Sequence, residues 1–261
     1  MDHSAVLAHY EQDMREGARP DGPGARIERT ATVVRQIAGT DGWNGVLWSS
    51  LDEAVADAAI AEQIAYYTRL GLGFEWKLHG HDLPVDLGPR LTAAGFTPEP
   101  EEALMVAETA EALALTADAE PPEGVRIRRA DDAAGVEHVV AVHEQVFGTD
   151  GSGLRRRLLT QLATDPGALL TVVALAGDEP VSAARLETVP GTRFAGLWGG
   201  GTLRNWRGRG LYRTLIAHRA RMAAERGYPY LQVDASPMSR PVLERLGFHL
   251  LATTTPYVYE A

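Results

Sequence analysis

The chain contains no cysteine, a single lysine and no long hydrophobic run. The absence of cysteine among its 261 residues excludes disulfide bonds, a thiol nucleophile and thiolate metal ligands. No apolar stretch approaches the roughly 18 residues that a membrane-spanning helix needs. The N-terminal segment MDHSAVLAHYEQDMREG has neither a basic start nor an apolar centre. We therefore expect no secretory signal, no membrane association and a cytoplasmic location.

The composition that is present is that of a globular protein, with 45% hydrophobic and 23% charged residues. The formal net charge of −10 argues against nucleic acid as a partner and would suit a small cationic molecule. Two histidines and an aspartate occur together in HGHD, His79 to Asp82. This group is too small for a metal site, so we predict no metal and a polar loop that could line a substrate cleft.

The length allows two domains of about 130 residues each. The segment TADAEPPEGV is small, acidic and rich in proline, which is typical of a linker. We therefore predict a first domain over 1–115, a linker over 116–123 and a second domain over 124–261. The second domain shows a strand, two helices, three strands, a long helix from Leu211 and a final strand–helix–strand segment.

The first half repeats part of this order. VLW at Val46–Trp48 is similar to GLW at Gly196–Trp198, and a helix ending at Gly71 corresponds to the helix ending at Gly227. Such a repeated order indicates a duplicated fold, although two unrelated α/β halves could share it by chance. The segment between tryptophan and terminal glycine is shorter in the first half, which lacks the Arg-Gly turn of the second.

That turn lies in WGGGTLRNWRGRGLYRTL, Trp198 to Leu215. A strand, a glycine-spaced turn and a helix N-terminus form an anion site, because the amides of the first helical turn lack intrahelical partners. Glycine allows close approach of a phosphate, and Arg207 and Arg209 add charged donors. The turn lacks the Gly-Lys-Ser/Thr ending of a P-loop and the spacing of a dinucleotide-binding fingerprint. An exposed basic turn without a ligand is the alternative.

Arg207-Gly208-Arg209-Gly210-Leu211-Tyr212 resembles the acyl-CoA signature of the GNAT superfamily of N-acetyltransferases, and Leu246-Gly247-Phe248 resembles its closing motif. The resemblance covers residues 124–261 well and the first half as a degenerate copy. It implies an α/β fold with two GNAT-like mixed-sheet halves, the first without the acyl-CoA motif. It also implies acetyl-CoA as co-substrate and a bulged strand end whose freed backbone groups pair with the pantetheine arm. The implied binding residues are Thr202, Leu203, Arg207, Gly208, Arg209, Gly210, Leu211 and Tyr212.

Two positions depart from the family pattern. Tyr212 stands where the signature ends in a small residue, so its ring must point away from the pyrophosphate. Leu243 stands where relatives often have the tyrosine that protonates the leaving thiolate. The strand before the signature also lacks the glutamate that relatives often carry, so candidate catalytic residues are sought on neighbouring strands. They are Glu187 or Asp234 as the base and Tyr257 (or Tyr259) as the acid, with a surface position, a cap and core packing as the respective alternatives.

The sequence therefore predicts an acetyl-CoA-dependent N-acetyltransferase that acts on a primary amine of a small molecule or peptide. A non-catalytic acyl-CoA sensor is one alternative, favoured by the absent tyrosine and glutamate. Another acyl or aminoacyl transferase on a tandem GNAT scaffold is a second. The sequence indicates neither the acceptor nor an oligomeric state.

Overall fold

The computed structural model describes residues 1–22 and 24–260, which divide into two compact units. The first unit contains Met1–Met105, Asp234–Met238 and the chain from Leu250 onward, and the second contains Val106–Val233 and Ser239–His249. The predicted boundaries at 1–115, 116–123 and 124–261 stay a prediction. The units differ from them because the last strand is grouped with the first unit.

In the described part of residues 1–108, the chain forms three α-helices, one π-helical segment and six strands, besides a short 3-10 turn. These are α1 (His3–Tyr10), a π-helical continuation (Glu11–Glu16), β1 (Arg26–Arg29), β2 (Val33–Ile37), β3 (Gly45–Ser49), α2 (Ala56–Leu70), β4 (Phe74–His79), α3 (Leu87–Ala93), β5 (Thr97–Pro98) and β6 (Glu102–Glu108). The elements that follow are α4 (Thr109–Leu115), β7 (Val125–Arg129), α5 (Ala133–Phe147), α6 (Ser152–Thr164), β8 (Leu170–Ala176), β9 (Glu179–Thr188), β10 (Phe194–Thr202), α7 (Leu211–Glu225), β11 (Tyr230–Ala235), α8 (Arg240–Glu244) and β12 (His249–Tyr259). Within the described chain, no helix combines the length and the low charge needed to cross a membrane.

In the first unit the strand order is β1-β2-β3-β4-β12. All neighbouring strands are antiparallel except β3 and β4, which are parallel and are connected through α2. The core lies between α2 and the sheet, where the ring of Tyr67 stacks on Phe74 at 4.2 Å. β12 joins this sheet through the pairing of Thr254–Tyr259 with Phe74–His79, a contact between segments far apart in the sequence.

In the second unit the strand order is β7-β8-β9-β10-β11. Three antiparallel pairs are followed by the parallel pair β10–β11, which is connected through α7. α2 and α7 both have 15 residues. The same sequence of antiparallel strands, parallel pair and connecting helix thus occurs in both units, which confirms the prediction of two mixed-sheet α/β halves.

The long helix of the second unit begins at Leu211, as the sequence predicts. The carboxylate of Asp132 caps α5 by accepting a hydrogen bond from the Gly135 amide at 2.6 Å. In α7, Ala217 is buried although it lies away from the apolar face that Leu211 and Leu215 define. The helix is covered on more sides than an amphipathic pattern indicates, and it buries Arg219 as well.

Candidate functional site

The parallel strands β10 and β11 separate part-way along their length. Pairing between them in the described chain covers Phe194–Gly196 against Tyr230–Gln232, whereas β10 continues to Thr202. On its other edge, β10 stays paired with β9 as far as Thr202, with a bulge between Trp198 and Gly201. Backbone groups on the separated edge need hydrogen-bond partners from outside the sheet. The split therefore provides an edge along which an extended, amide-containing ligand can bind.

The three consecutive glycines of β10 form the bulge, and each faces a bulky side chain. A Cβ atom at Gly199 would lie 2.5 Å from Nη1 of Arg185, and one at Gly201 would lie 3.0 Å from Cγ1 of Val146. A Cβ at Gly200 would lie 3.3 Å from the Tyr212 ring. Gly199 also has a φ of 55°, which side-chain-bearing residues rarely adopt. The glycines are therefore required by the bulge and by the side chains around it.

The turn between β10 and α7 is shaped by two glycines with positive φ. Gly208 and Gly210 have φ values of 75° and 82°, and a Cβ at either would have no heavy atom within 4 Å. Gly210 is the N-cap residue of α7, and no side chain caps this helix end. The first-turn amides consequently face outward at the positive end of the helix dipole, as an anion site requires.

The two arginines of this turn flank the helix end. Arg209 lies with its guanidinium 4.6 Å from the centre of the Trp206 ring, and Nε of Arg207 donates to the Thr202 carbonyl at 3.1 Å. Both arginines are exposed, whereas Leu211 is buried and anchors the first turn of α7 in the core. The turn therefore presents positive charge to solvent from a fixed backbone.

Some backbone groups predicted to bind a ligand already have partners. The Leu203 amide donates to the Val181 carbonyl at 3.0 Å, and the Thr202 hydroxyl lies 2.8 Å from the Ser182 hydroxyl. The Tyr212 ring is turned toward Gly200. Of the remaining predicted residues, Arg207 to Gly210 form the turn itself and Leu211 begins α7.

Glu187 lies directly beside the point where the strands separate. In the register of β9 and β10 it is opposite Gly196, the last residue of β10 that pairs with β11. Its Oε1 atom is in an ion pair with Arg157 of α6 and lies 3.5 Å from Nε of Arg185. About a third of its side chain is exposed (30%), which leaves it accessible to a substrate.

Asp234 is buried in the first unit, where it pairs with Lys77, the only lysine of the chain. Burial opposes the charge of Lys77, but Asp234, Tyr10 and Glu75 outweigh it and raise the pKa of Lys77 above its ordinary value. Burial, reinforced by Asp234, raises the pKa of Glu102 to about 7. Asp234 is therefore part of a buried charged cluster, and it lies within β11 instead of capping a helix.

Tyr257 also lies in the first unit. It is opposite Trp76 in the pairing of β12 with β4 and packs against the core of that unit. It lines a cavity of about 370 Å³ to which the His79–Asp82 segment also contributes. Asp82 of this segment binds Arg15 at 2.8 Å, and no group of three potential metal ligands occurs in the part of the chain that the structure describes.

The local sequence pattern does not indicate the surroundings of Arg219, Arg185 or Lys77. Arg219 and Arg185 fall within an apparently amphipathic helix and an ordinary strand, and only their long-range contacts distinguish them. The one available signal was the uniqueness of Lys77 among the basic residues.

The split parallel pair and the glycine turn at a helix N-terminus together have the organisation that the resemblance implies for an acyl-CoA-dependent transferase. The model of the Acetyltransferase (GNAT) family matches residues 126–248, a little under half of the chain. Residues 126–248 are thus similar to this family, as the resemblance seen in the sequence implies. No curated protein matches the sequence.

Solved structures with the same fold cover nearly all of the chain. A GCN5-related N-acetyltransferase from Kribbella flavida is 18% identical, with a TM-score of 0.69. The alignment covers 99% of this chain and 94% of that protein. A tandem GNAT protein from the clavulanic acid biosynthesis pathway is 15% identical, with a TM-score of 0.58. The alignment covers 92% of this chain and 85% of that protein. At these identities the similarity establishes the tandem fold alone.

Proposed function

We propose that the protein is an acyl-CoA-dependent N-acyltransferase whose acceptor is an amine of a small molecule or peptide. Acetyl-CoA is the donor that the family resemblance implies. The observation that carries the proposal is the continuity of two features, the split between β10 and β11 after Gly196 and the uncapped N-terminus of α7. A ligand with an extended diamide arm and a pyrophosphate matches both features. The arm matches the split between the strands, and the pyrophosphate matches the helix N-terminus that follows it along the chain.

The second unit supplies the groups for such a ligand. The first-turn amides of α7 suit the pyrophosphate, and Arg207 and Arg209 add positive charge beside it. The part of β10 beyond Gly196, which does not pair with β11, suits the amides of the pantetheine arm, as when an extended peptide adds to a sheet edge. The thioester would then lie at the far end of the arm, toward Gly200.

In the reaction, the amine nitrogen forms a bond to the thioester carbonyl carbon and the carbon–sulfur bond breaks. The amine loses a proton, and the CoA thiolate gains one. A lysine-like amine with a pKa of about 10.4 is mostly protonated at pH 7, and its deprotonation costs about 4.6 kcal/mol. A base near the thioester must offset this cost.

Glu187 is our proposed base, because it is opposite Gly196 where the strands separate. The carboxylate accepts from Arg157 and Arg185, which fix its position while leaving lone pairs for a substrate or a bridging water. Asp234 and Tyr257 stay sequence predictions, and their present contacts favour structural roles in the first unit.

A non-catalytic acyl-CoA sensor is the second candidate. The sensor function is favoured by the residue at the position where relatives often have the proton-donating tyrosine. That residue is Leu243, which is completely buried in α8 and cannot donate a proton. The sensor would bind the same ligand at the same turn but would not transfer its acyl group. Turnover on a panel of amines distinguishes the two functions.

Binding of CoA tests the site without knowledge of the acceptor. Gly210→Asp places a carboxylate where the pyrophosphate would lie, and we expect it to abolish binding in titration calorimetry. Gly227→Asp is a matched control, because Gly227 also has positive φ (77°) and open space around its Cβ position. It lies at the opposite end of α7, about 25 Å away by helical rise. Equal loss of affinity in both variants, or none in either, would refute the proposed site.

A further inference from the structure

Arg219 is a buried cation on α7. Only 1% of its surface is exposed, and its hydrogen bonds are to backbone carbonyls. Nε donates to Leu215 at 3.1 Å, and Nη1 donates to Arg185 at 3.3 Å. The Arg185 carbonyl lies opposite the bulge of β10, so Arg219 supports the strand at that point.

The third nitrogen of this guanidinium, Nη2, is buried and has no hydrogen-bond partner in the described chain. Arg185, the other guanidinium at the bulge, has Glu187 as its counter-ion. No carboxylate of residues 1–22 or 24–260 pairs with Arg219. Burial, with Arg185 adding to it and Tyr212 opposing it, lowers the pKa of Arg219 to about 10, so the side chain still carries its charge at neutral pH.

A buried charge without a counter-ion is unfavourable, because the protein interior does not replace its hydration. Folded proteins accordingly pair such charges or use them to bind a ligand. The two carbonyls that Arg219 contacts explain the direction of its side chain but do not neutralise it. The unpaired Nη2 therefore indicates an anion that the chain itself does not provide.

The position of Arg219 identifies the part of the ligand that it faces. A Cβ atom at Gly200 would lie 3.6 Å from Nη2 and 3.8 Å from Nη1 of Arg219, with the Tyr212 ring beside them. Gly200 lies between the point of strand separation at Gly196 and the phosphate turn at Arg207–Gly210. In the proposed function the thioester lies toward Gly200, so the acyl group is the part of the donor that Arg219 faces.

We propose that Arg219 binds a carboxylate at the end of the acyl group, so that the preferred donor is the CoA thioester of a dicarboxylic acid instead of acetyl-CoA. This inference rests on the proposed acyl-CoA site. A carboxylate two or three carbons beyond the thioester carbonyl supplies the missing charge and accepts from Nη2. A neutral acyl group leaves the guanidinium unpaired.

Two stable thioethers of equal length test the inference without an acceptor. S-(3-carboxypropyl)-CoA carries the carboxylate, and S-butyl-CoA has a methyl group in its place. Titration calorimetry on the whole protein should give a Kd at least ten-fold lower for the first, a ratio that corresponds to about 1.4 kcal/mol. A ratio near one in the unmodified protein would overturn the inference.

Variants assign the preference to Arg219. In Arg219→Met the ratio should fall to about one, while affinity for CoA itself is retained. Arg219→Gln keeps amide hydrogen-bond donors for the two carbonyls but removes the charge. It should also bind the two thioethers with about equal Kd, and it provides the test if the methionine variant does not fold. Arg221→Met changes an exposed arginine of the same helix and should leave the ratio unchanged. A ratio that persists without the Arg219 charge would refute the assignment. Failure of CoA and both thioethers to bind the unmodified protein would overturn the proposed function.

Discussion

Lys77→Met should destabilise the first unit strongly. The substitution removes the cation that pairs with Asp234, a carboxylate with only 2% of its side chain exposed. Glu75 also interacts favourably with Lys77, so a second carboxylate loses a contact when the cation is removed. Loss of one partner of a buried pair costs about 3–5 kcal/mol, because the other charge is left unpaired. At about 2–4 °C per kcal/mol for a chain near this size, Tm should fall by roughly 6–20 °C.

Differential scanning calorimetry measures this effect, and two further variants interpret it. Lys77→Met combined with Asp234→Leu removes both charges and should recover most of the lost stability. Arg126→Met is the matched control, since it breaks an ion pair with Asp178 whose side chains are 60% and 100% exposed. Its Tm should be unchanged within error. If Lys77→Met lowered Tm no more than Arg126→Met, or if the double variant were as unstable as the single one, the pair would not have the role inferred from its burial.

Three other predictions concern the site and its surroundings. Glu187→Gln should lower kcat about 10²–10⁴-fold on an accepted amine with CoA affinity unchanged, and a kcat near that of the unmodified protein would exclude Glu187 as the base. Glu102 keeps its proton in the folded state up to about pH 7, whereas in the unfolded chain it loses the proton near pH 4.5. Its contribution to the free energy of unfolding therefore decreases as the pH rises from about 4.5 to about 7. Glu102→Gln should remove that slope in denaturant titrations, and an identical slope in the variant would contradict the shift. Calorimetry should give one CoA per chain. In the first unit the Asp52 carboxylate accepts from the Ala54 and Val55 amides, at the position where the second unit has its open turn. Binding of two CoA per chain would contradict this reasoning.

The sequence alone was sufficient for the features that depend on local chemistry. Glycines at Gly208 and Gly210 before an apolar helix predict an uncapped anion-binding N-terminus, because each residue's backbone preference is local. The order of strands and helices in the second half, and in part of the first, follows from hydrophobic periodicity and turn residues in the same way. The N-cap of α5 is local in the same sense, because Asp132 accepts from an amide only three positions along the chain.

The tertiary structure decided everything that depends on contacts between distant segments. Pairing of β12 with β4 connects residues about 180 positions apart, and no local pattern determines such a partner. Register places Glu187 opposite Gly196, and a shift of one residue would have turned its side chain to the other face. The burial of Arg219 and the pairing of Lys77 with Asp234 likewise arise from packing. A charged residue has the same local pattern whether it is solvated or enclosed, because its energy is set by the surroundings that the folded chain builds around it.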